Sequence, residues 1–200
     1  MTTLDFHPAP SPRRGAMILA IGFALYASLA LGLSAADAYL RIHPNAFPAT
    51  IMAANIGLVL AYFLVPSINA LGRAMGPYHL AYFHIWRIFA GAVFLAYGAS
   101  GALPALFAER AGYGDILAGL IAAALLILPR RTRFVLGFHV VGFTDLALVI
   151  ATGIYLNTTA PTTMDTIAYL PLALIPLVGV PLSIMSHVAA FDQIARGWRA

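Results

Sequence analysis

Five ionisable side chains interrupt long apolar runs: His84, Arg87, His139, Asp145 and His187. Brought together away from water, such groups have a limited chemistry. Imidazoles ligate haem iron or a transition metal ion, or pass protons. A guanidinium and a carboxylate form an ion pair, because either alone is costly in an apolar medium. His84 and Arg87 are three positions apart and share one face of a helix. The expectation is one polar cluster with four roles open to it. Arg87 and Asp145 form a buried ion pair that fixes helix register. Two of the histidines His84, His139 and His187 hold a b-type haem, with Arg87 near its propionates. His84, His139, Asp145 and His187 ligate zinc, copper or iron. Asp145 and a histidine relay protons or bind a polar headgroup or a quinone.

The elements that must position these residues follow from composition. The chain of 200 residues is 62% hydrophobic and only 9% charged, against about 25% charged residues in soluble domains. Its 11 basic residues outnumber 7 acidic ones, giving +4, and every one of the basic residues is arginine. With no cysteine there is no disulfide, thiolate metal site, Fe–S cluster or cysteine nucleophile. With no lysine there is no Schiff base and no Walker phosphate loop. The basic residues are too few for a nucleic-acid-binding surface, and no soluble-enzyme motif such as H-E-x-x-H or G-x-S-x-G occurs.

A bilayer core needs about 20 apolar residues per helix. Six segments qualify, at 16–39, 50–72, 79–100, 114–129, 134–156 and 165–190, separated by stretches rich in Pro, Gly and Arg. The fold expected is an all-α bundle of six transmembrane helices. It comprises a cytoplasmic tail at 1–15, a membrane domain at 16–192 and a cytoplasmic tail at 193–200. The first apolar run, although preceded by Arg13 and Arg14, is longer than the core of a secretion signal, so a retained span is expected. Six spans put both termini on one side. That side receives Arg13, Arg14, Arg73, Arg130, Arg131, Arg133, Arg196 and Arg199, and the other only Arg41 and Arg110. The bias places the termini in the cytoplasm. On this topology the three histidines lie near the cytoplasmic face, with Arg87 about 10 Å and Asp145 roughly 16 Å from it.

Smaller signals complete the expectation. Ala20, Ala24, Ser28 and Gly32 form a row of small residues on the first span, expected to pack against a helix of the same chain, with a contact to another chain as the alternative. Pro171, Pro176 and Pro181 break the sixth span, and the carbonyls they free must find partners. The loop Ala102–Gly112 is expected to lie on the surface or re-enter partway. Asp115 and Asp165 are expected to cap the fourth and sixth spans, Asp115 with Arg110 as partner.

Four stretches carry a resemblance: Arg87-Ile-Phe-Ala-Gly-Ala-Val-Phe-Leu95, LPALFAERAGYGDI at 103–116, Gly142-Phe-Thr-Asp-Leu146 and PLALIPLVGVPLSIMSH at 171–187. Together these resemble a family of small polytopic bacterial membrane proteins of unknown function, over about the C-terminal 60% of the chain. The resemblance implies a bacterial inner (cytoplasmic) membrane location and assigns no activity. Arg87, Asp115, Asp145 and His187 match its polar positions; His84 and His139 depart from them.

The function expected first is a non-catalytic membrane module, either an accessory subunit of a larger membrane assembly or a binder of a lipid-like ligand. A redox protein holding haem or quinone is the alternative, followed by a small proton-coupled transporter and an intramembrane metal enzyme. The partners expected are membrane lipids, other membrane subunits or further copies of the chain, and no nucleic acid.

Overall fold

A computed structural model describes residues 10–160 and 162–200. Residues 1–9 of the expected N-terminal tail lie outside the described residues. Helix α1 (Pro12–Ala35) begins where the Ser11 hydroxyl caps the first turn and Pro12 supplies a preset φ. It therefore starts ahead of residue 16. A short α2 (Ala38–Ile42) follows Asp37, which sits in the left-handed region at φ 52°. Helix α3 (Ala46–Leu64) ends because Pro66 forces Val65 into an extended conformation.

The expected 50–72 span is thus divided at Pro66. The next helix, α4 (Pro66–Tyr82), bends at Gly76, whose φ of 70° and ψ of 161° break the helical path before Pro77. A 3-10 turn (Phe83–Trp86) leads into α5 (Arg87–Ala99). Gly101, at φ 74°, reverses the chain. Helix α6 (Ala105–Ala124) starts directly after Pro104. Residues 105–112 are therefore the first turns of α6, not a surface loop or re-entrant turn, because nothing after Pro104 interrupts the helix. Helix α7 (Thr132–Thr159) is the longest. The expected 165–190 span is regular only in its second half. A 3-10 turn (Asp165–Ala168) and irregular turns precede a π-helical turn (Ile175–Gly179), which runs into α8 (Val180–Ala195).

Among the described residues the structure is helical without strands. Five helical stretches are long and apolar enough to cross a membrane: Pro12–Ala35, Ala46–Leu64, Pro66–Ala99, Thr132–Thr159 and Ile175–Ala195. That is the make-up of a membrane protein. Helix α6 has comparable length but carries Glu109, Arg110 and Asp115. The surface supports the same reading. Large apolar side chains such as Leu25, Leu29, Leu64, Phe89 and Leu148 point outward, while Arg87 and three histidines lie fully inside. Soluble monomers rarely expose apolar surface on this scale.

Glycine sets the closest helix approaches. A Cβ at Gly91 would run into the Gly112 backbone, and one at Gly98 into Ala108, so α5 and α6 pack nearly backbone to backbone. Helix α1 crosses α4 where Gly15 meets the Ser67 carbonyl. The row Ala20, Ala24, Ser28 and Gly32 is exposed, and a Cβ at Gly32 would meet nothing. That row is therefore not an internal seam; Tyr26, Ala30 and Ser34 form part of the inner face of α1 instead. The broken sixth segment satisfies its backbone partly through this face. Pro181 leaves the Leu177 carbonyl without its usual helical donor, and the Tyr26 hydroxyl donates to it at 2.9 Å.

The two ends of the bundle differ. Arg130 lies over the Tyr78 ring, the Tyr78 hydroxyl bonds the Arg131 backbone, and the Ala200 amide donates to Thr132. Arg73 and Arg196 border one shallow recess at the same end. At the opposite end Asn157 donates to Asn45 at 2.9 Å, tying α7 to the start of α3.

Candidate functional site: a buried polar cluster beside an apolar cleft

Arg87 occupies the first turn of α5 and is fully buried. Its guanidinium is shared among three acceptors. Nε donates to Asp115 Oδ1 at 2.6 Å, Nη1 to the Gly142 carbonyl at 3.2 Å, and Nη2 to Asp145 Oδ2. The expected Arg87–Asp145 pair is present, and Asp115 is its third member. Asp115 lies mid-helix in α6, one turn beyond the Gly112 contact with α5, with its side chain only 7% exposed. It does not cap a helix, because α6 begins ten residues earlier at Ala105. Its partner is Arg87; Arg110 instead donates to the Thr152 hydroxyl. Asp165 opens a single 3-10 turn and caps no long helix.

The fork geometry explains why arginine serves here. A planar guanidinium reaches two carboxylates and a carbonyl at once, which a lysine ammonium on a flexible stem would not hold in place. Gly114 and Gly142 make room for it. A Cβ at Gly114 would overlap the Asp145 carboxylate, and one at Gly142 would fall 3.3 Å from Arg87 Nη1.

The three histidines also converge, as a separate layer. His139 Nδ1 and His187 Nδ1 are 2.9 Å apart, His139 Nε2 is 3.0 Å from the Pro77 carbonyl, and His84 Nε2 is 2.7 Å from Ser186 Oγ. The acceptors fix the protons of the neutral rings. A carbonyl only accepts, so His139 carries its proton on Nε2 and its Nδ1 receives one from His187 Nδ1. Ser186 donates to the Ser183 carbonyl at 2.8 Å, so it accepts from His84 Nε2. This leaves His84 Nδ1 and His187 Nε2 as buried nitrogens without a partner among the described residues. Phe138 and Phe143 enclose the layer.

This arrangement does not fit the metal or haem roles expected of these residues. Among the described residues no group of three or more His, Asp or Glu side chains is placed to hold a metal ion. The carboxylate of the expected set, Asp145, is turned to Arg87. His84 and His187 stack with ring centroids 4.1 Å apart, which leaves no gap for a haem between them. His139 is closed off by Pro77 and His187.

Next to the Arg87 layer lies a cleft of ≈ 110 Å³. Its walls come from α3, α5, α6, α7 and the proline-rich approach to α8, and include Ile51, Phe94, Phe107, Val149, Gly153 and Pro176. Two charged side chains line it: Asp115, buried, at the inner end, and Asp165, half-buried, which with Asn157 stands toward the outer end. The volume takes a string of several water- or methylene-sized groups. The residues of this cleft carried no separate signal in the sequence, because each reads as one apolar position among many. Ser183 and Ser186, three apart in a run ending at His187, were the one available sign of a hydrogen-bonded imidazole.

Residues 45–195, more than half of the chain, match a domain of unknown function, DUF8737. The chain belongs to this family. The match includes all of Arg87, Asp115, Asp145 and the three buried histidines, whereas α1 lies outside it. Neither a curated protein nor a solved structure matches the chain. The DUF8737 region is thus the part that builds both the polar cluster and most of the cleft.

Proposed function

We propose that this chain is a six-span protein of the bacterial inner membrane that binds a lipid-like ligand in the cleft between α3 and α7, without catalysing a reaction. The observation that carries the reading is the cleft itself. It is walled mostly by apolar side chains, its rim includes the exposed Met52 and Ile154, and its polar lining is the buried Asp115 with Asn157 and Asp165. An apolar groove with very few convergent polar groups is the usual form of a small-molecule site. Helices α3 and α7 are joined at one end by Asn45 and Asn157, and in this reading a hydrocarbon chain enters from the bilayer past the exposed Met52 on α3 and Ile154 on α7.

Two observations support six crossings. Helix α6 is packed against α5 along Gly91, Gly98, Ala108 and Gly112, so it shares that helix's depth in the bundle. Its charges are accommodated inside, Asp115 on Arg87 and Arg110 on Thr152. The arginine-rich end then faces the cytoplasm. The polar cluster acts in this reading as the rigid floor of the cleft.

The test is saturable binding of a neutral lipophilic fluorophore to the purified full chain, with Gly153→Leu as the blocking variant. A Cβ at Gly153 sits in ordinary contact with Phe107 at 3.5 Å, so the rest of a leucine projects into the cleft without displacing backbone. Saturable binding lost in Gly153→Leu supports the reading. Binding that is absent, or equal in the variant, contradicts it.

A further inference from the structure

We propose that the cleft selects amphiphiles with a cationic amine head and rejects those with an anionic head, an inference that rests on the ligand-binding reading above. Arg87 carries one positive charge and is paired with two carboxylates, Asp115 and Asp145, so the trio carries one formal negative charge when both carboxylates are ionised. Among the described residues no further cation reaches the trio. Arg110, one turn before Asp115, is directed to Thr152, and the neighbouring imidazoles bond to one another, to Ser186 and to Pro77.

Of the trio's three charged groups only Asp115 borders the cleft; the other charged side chain on its wall, Asp165, is likewise a carboxylate. Arg87 is wholly enclosed, its Nε, Nη1 and Nη2 turned to Asp115, Gly142 and Asp145, so it offers an incoming anion no face. A ligand that reaches the inner end therefore meets a carboxylate whose Oδ1 already accepts from Arg87. A carboxylate is acceptor-only, so it rewards a donor and repels another acceptor. The surrounding Phe94, Phe107, Leu146 and Val149 lower the local dielectric and strengthen both effects. A protonated amine on an apolar chain supplies the missing charge, the donors and the hydrocarbon body together. An alcohol supplies only a donor, and a fatty acid adds a second like charge at the place least able to screen it.

The experiment uses the full chain in nonionic detergent at neutral pH, with the same neutral fluorophore bound and three competitors of equal chain length: dodecylamine, dodecanol and dodecanoic acid. Displacement from Gly153→Leu is subtracted as detergent partitioning. The amine is expected to displace the fluorophore at a concentration about tenfold or more below that of the acid, with the alcohol between them. Asp115→Asn is expected to bring amine and acid within about threefold, and Asp145→Asn, which also removes the surplus charge, to do the same. An acid that competes as well as the amine in the wild-type protein overturns the head-group inference and leaves the cleft reading standing. Fluorophore binding that is insensitive to Gly153→Leu overturns the cleft reading, and this inference with it. The wild-type comparison decides the matter even if neither aspartate variant folds.

Discussion

Arg87 Nε meets Asp115 Oδ1 at 2.6 Å across a helix pair whose backbones approach at Gly91 and Gly112. The ion contact and the glycine contact form one construction. The helices must lie that close for a side chain from the first turn of α5 to reach a carboxylate midway along α6. Removing the guanidinium leaves two buried carboxylates without a counter-ion. Arg87→Leu is therefore expected to cost about 3–5 kcal/mol of stability, and Asp145→Asn clearly less, because it leaves a matched pair behind. Thermal unfolding of the detergent-solubilised protein measures both. Equal and small effects would mean that the trio is not a structural unit.

The glycine side of the same construction predicts opposite signs at two positions. Gly91→Ala places a methyl group against the Gly112 backbone and should destabilise by about 1–3 kcal/mol. Gly32→Ala meets open space on α1 and should stabilise by about 0.5–1 kcal/mol through helix propensity alone. A destabilised Gly32→Ala would indicate that α1 is covered in a way the monomer does not show.

How much of this was legible in the sequence depended on whether a residue's neighbours lie along the chain. The apolar runs, the breaks and the pairing of Arg87 with Asp145 are readable, since isolated charges in such runs need partners. Asp115 was not readable as the third partner. Its surroundings, Arg110 and Gly112-Tyr-Gly114, look like the start of a helix, and only the close α5–α6 approach shows that α6 begins at Ala105. The convergence of His84, His139 and His187 was legible from depth. Their lack of a ligand geometry was not, because it depends on Ser186, Ser183 and Pro77, which are ordinary residues until the helices are assembled. The row Ala20–Gly32 misled for the converse reason. Small residues permit close packing but do not require it, and Gly15 and Tyr26 anchor α1 instead.

Tyr26 and Pro181 make a two-residue test of how the broken helix is stabilised. Tyr26→Phe removes the donor to the Leu177 carbonyl and should cost about 1 kcal/mol. Pro181→Ala restores a backbone donor to the same carbonyl, so Tyr26→Phe should cost measurably less in that background. A double-mutant cycle of unfolding free energies checks the coupling. Strictly additive effects would show that the hydroxyl and the missing amide do not serve the same oxygen.

The chain contains no cysteine, so introduced cysteines report topology without background. Six crossings put Ser100, at the α5–α6 turn, and Leu128, after α6, on opposite sides of the membrane. In whole cells a membrane-impermeant maleimide should label Ser100→Cys and leave Leu128→Cys unlabelled until the membrane is opened. Labelling of both positions from one side would show that α6 does not cross.

Native mass spectrometry of the full chain released from detergent shows whether the cleft bordered by Asp115 holds a lipid-like molecule. A stoichiometric amphiphile adduct is expected on the wild-type protein and not on Gly153→Leu, with thermal unfolding showing that both proteins are folded. A wild-type protein without an adduct, even after incubation with dodecylamine, or an adduct retained in full by Gly153→Leu, would contradict lipid binding in the cleft.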